Sequence, residues 1–288
     1  MYKIVTKTCL CSKIKSMEIL APHVAKNALA GQFVILKINK NGERIPLTIA
    51  GTKPNNGLVK IVFQEIGKTT TLLGSLKEGE FIEDFLGPLG KPTKIQKYGK
   101  VVAVAGGLGI AEIIPVISEF KKKKNFITTI IGAKSKEFII LKSELLKNSD
   151  SIFFTTNDGS YGIKGSVIDV LKKNIDINEI DVVYTVGPIL MMKAVSDLTL
   201  KQNIKTIVSL NPIMIDGTGM CGSCRININN KIKFACIDGP EFDANSINWL
   251  EVISRLDTFK SQEKVSFDII KKECKCQKNQ KYKKEILE

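Results

Sequence analysis

Three cysteines and an aspartate in the last third of the sequence have the spacing of a metal or iron–sulfur site. Cys221 and Cys224 are separated by two residues, Cys236 follows Cys224 after eleven more, and Asp216 precedes Cys221 by a gap of four. Plant-type [2Fe–2S] proteins use a C-x4-C-x2-C segment and a distant fourth cysteine, and Asp216 stands where the first cysteine would be. The pattern therefore predicts a [2Fe–2S] cluster bound by Asp216, Cys221, Cys224 and Cys236.

Two other interpretations of this segment stay open. A zinc site also uses C-x2-C pairs, but it more often adds a second pair or two histidines, and the only histidine, His23, is nearly 200 residues away. The cysteines could instead be structural, with Asp216 capping a turn of the loop. A disulfide framework is the weakest alternative because the chain is long and its seven cysteines are an odd number. We expect a reducing, cytoplasmic location, since the N-terminal segment resembles a strand rather than a leader.

Composition limits the remaining classes of function. A chain of 288 residues, 43% hydrophobic and 25% charged, is typical of a soluble protein with two or three domains. The net charge is +14, but only three of the 43 basic residues are arginine, and the lysines are scattered, so we expect no nucleic-acid partner. The longest apolar run, 101–117, is interrupted by glycines, Glu112 and Pro115, so we expect no membrane span.

Residues 1–98 have the pattern of a small antiparallel barrel or sandwich. Five strand-like segments separated by Gly, Pro and Asn turns cover 2–8, 14–20, 32–38, 58–66 and 80–86. Cys9 and Cys11 lie near the first turn and are interpreted as structural. Thr48 is a polar residue inside an otherwise apolar strand, and Thr69 and Thr70 open a short helix at 70–76. Such a helix start suits a phosphate, although the threonines could be simple N-caps.

Residues 99–210 have the pattern of a doubly wound parallel sheet. Strands at 101–105, 126–131, 152–156, 182–186 and 205–210 alternate with helices at 110–124, 140–147, 166–174 and 190–202. The turn after the first strand contains Gly106, Gly107, Gly109 and Ile110, which allow close approach of a pyrophosphate. Glu112 occupies the third glycine position of a G-x-G-x-x-G motif, so a dehydrogenase-type Rossmann domain is disfavoured.

The remaining sequence divides into a cluster module at 211–250 and a C-terminal part at 251–288. An amphipathic helix is predicted over 249–259. The Lys-rich tail contains Cys274 and Cys276, and its lack of apolar periodicity predicts a solvated end.

The order of barrel, nucleotide domain and cluster module resembles the ferredoxin–NADP reductase superfamily. Within it the chain is most similar to the small (alpha) subunits of NADH-dependent ferredoxin:NADP oxidoreductases, a branch that includes sulfide dehydrogenase subunits. The match covers about residues 1–255 and is carried by the segments 43–49, 67–70, 87–92, 106–111, 155–162, 187–192, 216–225 and 236–242.

The resemblance implies an antiparallel FAD-binding barrel, with Thr48 near flavin N5 as the catalytic residue. The other residues that it implies for FAD are Ile45, Pro46, Leu47, Val62, Phe63, Gln64, Thr69 and Thr70. For the nucleotide of NAD(P)H it adds Asp158, Gly187 and Pro188 to the glycine turn of 106–110. The usual R-x-Y-S motif of the superfamily is altered, because Ile45 occupies its Arg position.

The implied activity is hydride exchange between a nicotinamide and FAD, followed by one-electron transfer to the cluster. The resemblance implies ferredoxin and a larger flavoprotein and iron–sulfur subunit, similar to the small subunit of glutamate synthase, as partners, and NADH as the preferred nucleotide. One alternative is the electron-transfer subunit of dihydroorotate dehydrogenase B, which would be expected to have four cysteine ligands and R-P-x-S, so Asp216 and Ile45 argue against it. Another is a non-catalytic electron-relay or redox-sensing module.

Overall fold

The computed structural model describes residues 1–269, and the first part of the chain is an antiparallel barrel. Its elements are β1 (Tyr2–Cys11), β2 (Ile14–Leu20), α1 (Pro22–Asn27), β3 (Phe33–Lys37), β4 (Arg44–Lys53), β5 (Leu58–Gln64), α2 (Lys68–Ser75), β6 (Phe81–Ile82) and β7 (Asp84–Leu89). The strand order is β6-β1-β2-β5-β4-β3-β7. The edge strands β6 and β7 are separated only by Glu83 in the sequence, so the chain itself links the two edges and the barrel is nearly closed.

The barrel confirms the predicted class and differs in detail. The segment predicted as one strand at 80–86 is divided between β6 and β7, which pair with opposite ends of the sheet. The six-residue helix α1 was not predicted, because so short a segment beginning with proline shows no helical period. Cys9 and Cys11 lie at the end of β1, next to the first turn as predicted, and both are free thiols.

The second domain alternates strands and helices as predicted. Its elements are β8 (Lys100–Gly106), α3 (Gly109–Lys122), β9 (Phe126–Ala133), α4 (Lys142–Asn148), β10 (Ser151–Thr156), β11 (Ile163–Lys164), α5 (Val167–Lys173), β12 (Val182–Val186), α6 (Ile189–Lys201) and β13 (Thr206–Ser209). These strands pair in parallel in the order β11-β10-β9-β8-β12-β13. The strand order reverses between β8 and β12, and ligands of doubly wound sheets bind at the carboxyl ends of the strands at such a point.

The cluster module is joined to the nucleotide domain through a shared sheet. It contains β14 (Arg225–Ile228), β15 (Lys231–Phe234), α7 (Ala235–Asp238) and β16 (Glu241–Asp243), and α8 (Trp249–Asp257) follows it. β16 pairs antiparallel with β13, so a strand beyond residue 210 completes the sheet. A three-residue strand carries too little periodicity to be recognised in the sequence. Helical conformation resumes at 260–269, and Cys274 and Cys276 lie outside the described residues.

Buried apolar residues connect the three parts. Ala50 and Val62 of the barrel pack in one core with Ile110 and Ala111 at the start of α3. Phe33 and Ile35 of β3 share another core with Met192 of α6 and with cysteines of the cluster module. Val34 and Leu36, which alternate with Phe33 and Ile35 along β3, fill the core of the barrel itself, so the barrel contacts both other parts through its outer face. Within residues 1–269, no helix is both long and apolar enough to cross a bilayer.

Candidate functional site

The four predicted cluster ligands come from two segments that a hairpin brings together. Asp216, Cys221 and Cys224 lie on the loop between β13 and β14, and Cys236 lies in α7. The β14–β15 hairpin pairs Arg225 with Phe234, which returns the chain to the start of the hairpin. As a result, the sulfur atoms of Cys224 and Cys236 are 3.2 Å apart.

The three thiols have different environments. Cys224 and Cys236 are buried, and burial, together with the neighbouring Cys224 thiol, raises the pKa of Cys236 to about 12. Cys221 is exposed, and its sulfur lies 3.1 Å from the Ser223 hydroxyl. Burial alone would raise the pKa of Cys221, but hydrogen bonds from Ser223 lower it overall. The loop thus presents one exposed, acidic thiol beside a buried pair.

The Asp216 carboxylate organises the loop through backbone contacts. The Thr218 N–H donates to Oδ1 and the Cys221 N–H donates to Oδ2, each at 2.7 Å. These bonds lower the pKa of Asp216, the Thr218 contact most. This is the turn-capping geometry that the sequence left open for Asp216. It does not exclude a ligand role, because an ionised carboxylate has about four acceptor sites and two are used here.

The arrangement fits a cluster held by two pairs of ligands. Two thiolates on one tetrahedral metal ion, with bonds of about 2.3 Å, lie about 3.8 Å apart, close to the separation of the Cys224 and Cys236 sulfurs. Among residues 1–269, no group of three or more His, Cys, Asp or Glu side chains is gathered closely enough to hold a single ion. A zinc site with four converging ligands is therefore not preformed in this part of the chain.

The cluster loop packs directly on the barrel at Gly217. Its φ is +76°, and a Cβ there would come within 2.7 Å of the Leu89 side chain and 2.8 Å of Ile35. Since a side chain would be strained in that conformation and would overlap both residues, Gly217 lets the loop lie close to β3 and β7. The predicted cluster ligands are thereby held against the domain that carries the predicted flavin strand.

The predicted flavin strand borders an opening in the barrel. β4 starts at Arg44 and β5 continues to Gln64, but their pairing extends only as far as Ile49 and Ile61. Ile45, Pro46, Leu47 and Thr48 are half-buried at this opening, opposite the end of β5 at Val62, Phe63 and Gln64. The backbone groups that the two strands do not exchange are available to a bound flavin.

The structure limits what several predicted flavin residues can do. Phe63 points into the barrel core, so only its backbone could contact a cofactor. The Thr69 hydroxyl donates to Glu43 at 2.8 Å, and the Thr70 hydroxyl accepts the N–H of Gly67 at 3.1 Å. Both hydroxyls are thus used within the protein, and the start of α2 offers a phosphate its backbone N–H groups.

A glutamate that was not assigned a role lies beside Thr48. The neighbour is Glu112, in the first turn of α3. Burial raises the pKa of Glu112 to about 7, and the nearby Thr48 side chain opposes part of that rise. The sequence signal was the departure of Glu112 from the glycine motif, but its contact with β4 depends on how the two domains pack.

The predicted nucleotide residues lie at the carboxyl ends of the parallel strands. A Cβ on Gly109 would come within 2.4 Å of the Val186 carbonyl oxygen, so the glycine turns at 106–109 and 187 pack backbone against backbone. Ile110 is fully buried, whereas Pro188 is exposed at the start of α6. The Asp158 carboxylate accepts two hydrogen bonds from Ser160, one from the backbone N–H at 2.9 Å and one from the side-chain hydroxyl at 2.6 Å. These bonds lower the pKa of Asp158.

Comparisons of this chain with known sequences and with a family model both identify proteins of dihydroorotate dehydrogenase B. The iron-sulfur cluster binding domain of dihydroorotate dehydrogenase B matches residues 211–248. A Thermotoga maritima homologue of the electron-transfer subunit of dihydroorotate dehydrogenase B (NAD(+)) is 43% identical over 266 residues, which is 92% of this chain and 94% of the homologue.

Two solved structures extend the comparison. A chain of the NADH-dependent reduced ferredoxin–NADP oxidoreductase, studied for flavin-based electron bifurcation, superposes with a TM-score of 0.87 and 42% identity, covering 94% of this chain and 98% of that chain. Flavohemoglobin from Malassezia yamatoensis, with bound FAD and heme, superposes with a TM-score of 0.59 and 20% identity over 70% of this chain and 56% of its own. The second likeness bears on the fold alone.

Proposed function

The chain belongs to the family of dihydroorotate dehydrogenase B electron-transfer subunits and their homologues, within the ferredoxin–NADP reductase superfamily, and on this basis we propose that it serves as the NADH-oxidising subunit of a ferredoxin:NADP oxidoreductase. It is an oxidoreductase subunit that uses FAD, an iron–sulfur cluster and NAD(P)H. The observation that supports the finer assignment best is the 42% identity with a chain of the NADH-dependent reduced ferredoxin–NADP oxidoreductase over nearly the whole of both chains.

The residues of this chain would form three sites, one for the flavin, one for the nucleotide and one for the cluster. When bound, FAD accepts two electrons as hydride from a nicotinamide and returns them singly, which iron–sulfur clusters require. Ile45 to Thr48 would hold the flavin at the barrel opening, with Glu112 beside Thr48. The glycine turns at 106–109 and 187 would receive the nucleotide where the sheet order reverses.

The cluster ligands would act as two pairs. Cys224 and Cys236, whose sulfurs are already adjacent, would bind one iron, and Asp216 and Cys221, joined by a backbone hydrogen bond, would bind the other. The exposed position of Cys221 would place its side of the cluster nearest to a partner. In this assignment, a larger flavoprotein and iron–sulfur subunit receives the electrons and reacts with ferredoxin.

Cofactor content tests the assignment directly. We expect the protein, purified without oxygen, to carry about one FAD and one [2Fe–2S] cluster per chain, measured by flavin absorbance, iron and acid-labile sulfide. NADH should bleach the flavin. Stoichiometric zinc without sulfide would remove the cluster assignment, and bound FAD that NADH cannot reduce would favour a non-catalytic relay.

NADH is expected to be the better reductant. The Lys136 N–H donates to the Ser160 hydroxyl at 2.8 Å, which ties the loop after β9 to the loop that carries Asp158. An ordered carboxylate there can accept a ribose hydroxyl and repels a 2′-phosphate. We expect kcat/KM for flavin reduction to be at least tenfold higher with NADH, about 1.4 kcal/mol in transition-state stabilisation, and Asp158→Asn to reduce that ratio.

Two further measurements decide the nucleotide assignment. Lys136→Gln is a matched control, because it removes a charge from the linked loop without touching the carboxylate, and it should leave the ratio above tenfold. A tenfold preference for NADPH in the wild type would reverse the assignment, with Lys134 and Lys136 as the phosphate ligands.

A second candidate function has its own support. The Thermotoga maritima protein is named as a homologue of the electron-transfer subunit of dihydroorotate dehydrogenase B (NAD(+)). Co-purification identifies the partner of this chain. A dihydroorotate-oxidising flavoprotein would favour this function, and a larger flavoprotein with additional iron–sulfur clusters would favour the first.

A further inference from the structure

Two arginines hold the segment between the paired cysteines. The Arg255 Nη2 on α8 donates to the Ser223 carbonyl at 3.0 Å, and the Arg225 Nη1 donates to the Gly222 carbonyl at 3.4 Å. Gly222 and Ser223 are the two residues between Cys221 and Cys224. Guanidinium groups from β14 and α8 thus contact both central residues of the C-x2-C segment.

The use of arginine at these two positions departs from the rest of the chain. Of 43 basic residues only Arg44, Arg225 and Arg255 are arginine, so a lysine would be the ordinary choice at any basic position. Arginine differs from lysine in its planar fork of five donors and in a charge that is never lost. Its presence at both contacts indicates that the loop requires this geometry as well as a positive charge.

Neither charge is neutralised by a nearby acid. Among the ion pairs of residues 1–269, none includes Arg225 or Arg255. Asp257, the acid closest in sequence to Arg255, pairs with Lys260 instead. Both arginines line a cavity of about 250 Å³ between the cluster loop and α8, whose other lining residues are apolar or carry hydroxyls. The two positive charges therefore remain effective at the loop.

We propose that Arg255, assisted by Arg225, is a positioning residue of the iron–sulfur site that fixes the C-x2-C segment and raises the midpoint potential of the cluster. Reduction adds one electron to a group that already has anionic ligands, and a fixed cation nearby stabilises the more negative state. Arg255 lies beyond the matched cluster-binding segment of 211–248, so the functional site extends into α8. The proposal rests on the cluster assignment made above.

The test is a redox titration of the full-length protein with dithionite, followed by electron paramagnetic resonance. At a fixed ambient potential, Arg255→Gln is expected to lower the ratio of reduced to oxidised cluster about tenfold, a decrease of about 59 mV for one electron. Arg225→Gln, whose contact is longer, is expected to change the ratio in the same direction by a smaller factor. The flavin potential should stay nearer its wild-type value in both variants.

Arg255→Lys separates charge from geometry. It keeps the positive charge, so it should retain most of the wild-type potential while the looser loop releases iron to a chelator faster. Lys260→Gln is the matched control, because it removes one positive charge five residues away from Arg255, and it should leave the potential unchanged.

Several outcomes would overturn the proposal. One is a wild-type potential in both Arg255→Gln and Arg225→Gln; another is an equal shift in Arg255→Lys and Arg255→Gln, which would show that the charge has no part. If Arg255→Gln cannot be loaded with iron, the Arg225→Gln and Arg255→Lys titrations decide. Wild-type protein that binds no iron and sulfide would instead contradict the proposed function, and iron analysis before titration distinguishes the two failures.

Discussion

Asp216→Cys is expected to keep the iron–sulfur cluster and shift its midpoint potential, whereas Asp216→Ala is expected to release the iron. The reason is that we assign Asp216 two tasks, an oxygen ligand to one iron and a cap for the Thr218 and Cys221 N–H groups. A cysteine restores a fourth ligand but cannot accept both N–H groups, and alanine does neither. Ligand type is one of the factors that sets the potential of a cluster. Iron content, the resonance spectrum and the potential are the measurements.

A variant of a second aspartate in the same module distinguishes the capping role of Asp216 from its role as a ligand. Asp243 also caps a turn, since its Oδ1 accepts the Asn245 N–H at 2.9 Å, and it is exposed. Asp243→Ala should therefore lower the free energy of unfolding by about 1 kcal/mol, as the loss of a cap does, and leave the cluster intact. If Asp216→Ala kept wild-type iron, spectrum and potential and lost only a similar amount of stability, Asp216 would be a cap and not a ligand.

The fold was predictable where the sequence has long, regular periods. The alternation of buried strands with amphipathic helices over 99–210 predicted both ends of every helix of the nucleotide domain to within two residues, because each element buries one continuous face. Short elements were not predictable. β16 has three residues and α7 has four, and both form because the cluster loop and the edge of β13 position them, not because of their own sequence.

The part of the candidate site that depends on the spacing of ligands along the sequence was predictable. The type and spacing of Cys221, Cys224 and Cys236 were sufficient to predict a cluster. The match of residues 211–248 to the iron-sulfur cluster binding domain of dihydroorotate dehydrogenase B agrees with that prediction. Contacts between distant segments were not visible in the sequence. Arg255 reaches Ser223 across 32 positions, and Glu112 reaches Thr48 across a domain boundary, so both depend on tertiary packing.

A partly buried carboxylate joins all three parts of the molecule. Glu241 of β16 accepts hydrogen bonds at Oε1 from the Tyr184 hydroxyl of β12, at 2.7 Å, and from the hydroxyl of Thr93, in the linker after the barrel. Tyr184 and Thr93 are themselves buried. Burial raises the pKa of Glu241, and the two donors oppose that rise only in part. Glu241 thus connects the cluster module to both other domains in a poorly solvated place.

Glu241→Leu is expected to lower the free energy of unfolding by about 2–6 kcal/mol. Leucine cannot accept a hydrogen bond, so the Tyr184 and Thr93 hydroxyls would be buried without a partner, at a cost of about 1–3 kcal/mol each. Glu241→Gln retains an acceptor oxygen in nearly the same place and should stay within about 1 kcal/mol of the wild type at pH 5. Urea unfolding of both variants, with cofactor content checked, measures the difference.

The pH dependence of the stability of the Glu241→Gln variant shows whether the raised pKa of Glu241 affects the stability of the wild type. A carboxyl whose pKa is higher in the folded state than in the unfolded chain binds more protons when folded, so its contribution to stability falls as pH rises above about 4.3. Glutamine does not titrate, so the variant should gain on the wild type as pH rises from about 4.3 to the folded-state pKa of Glu241, and the difference should stay constant at higher pH. A stability difference between Glu241→Gln and the wild type that is constant with pH would mean that Glu241 is ionised throughout, and the buried network would then act through its charge.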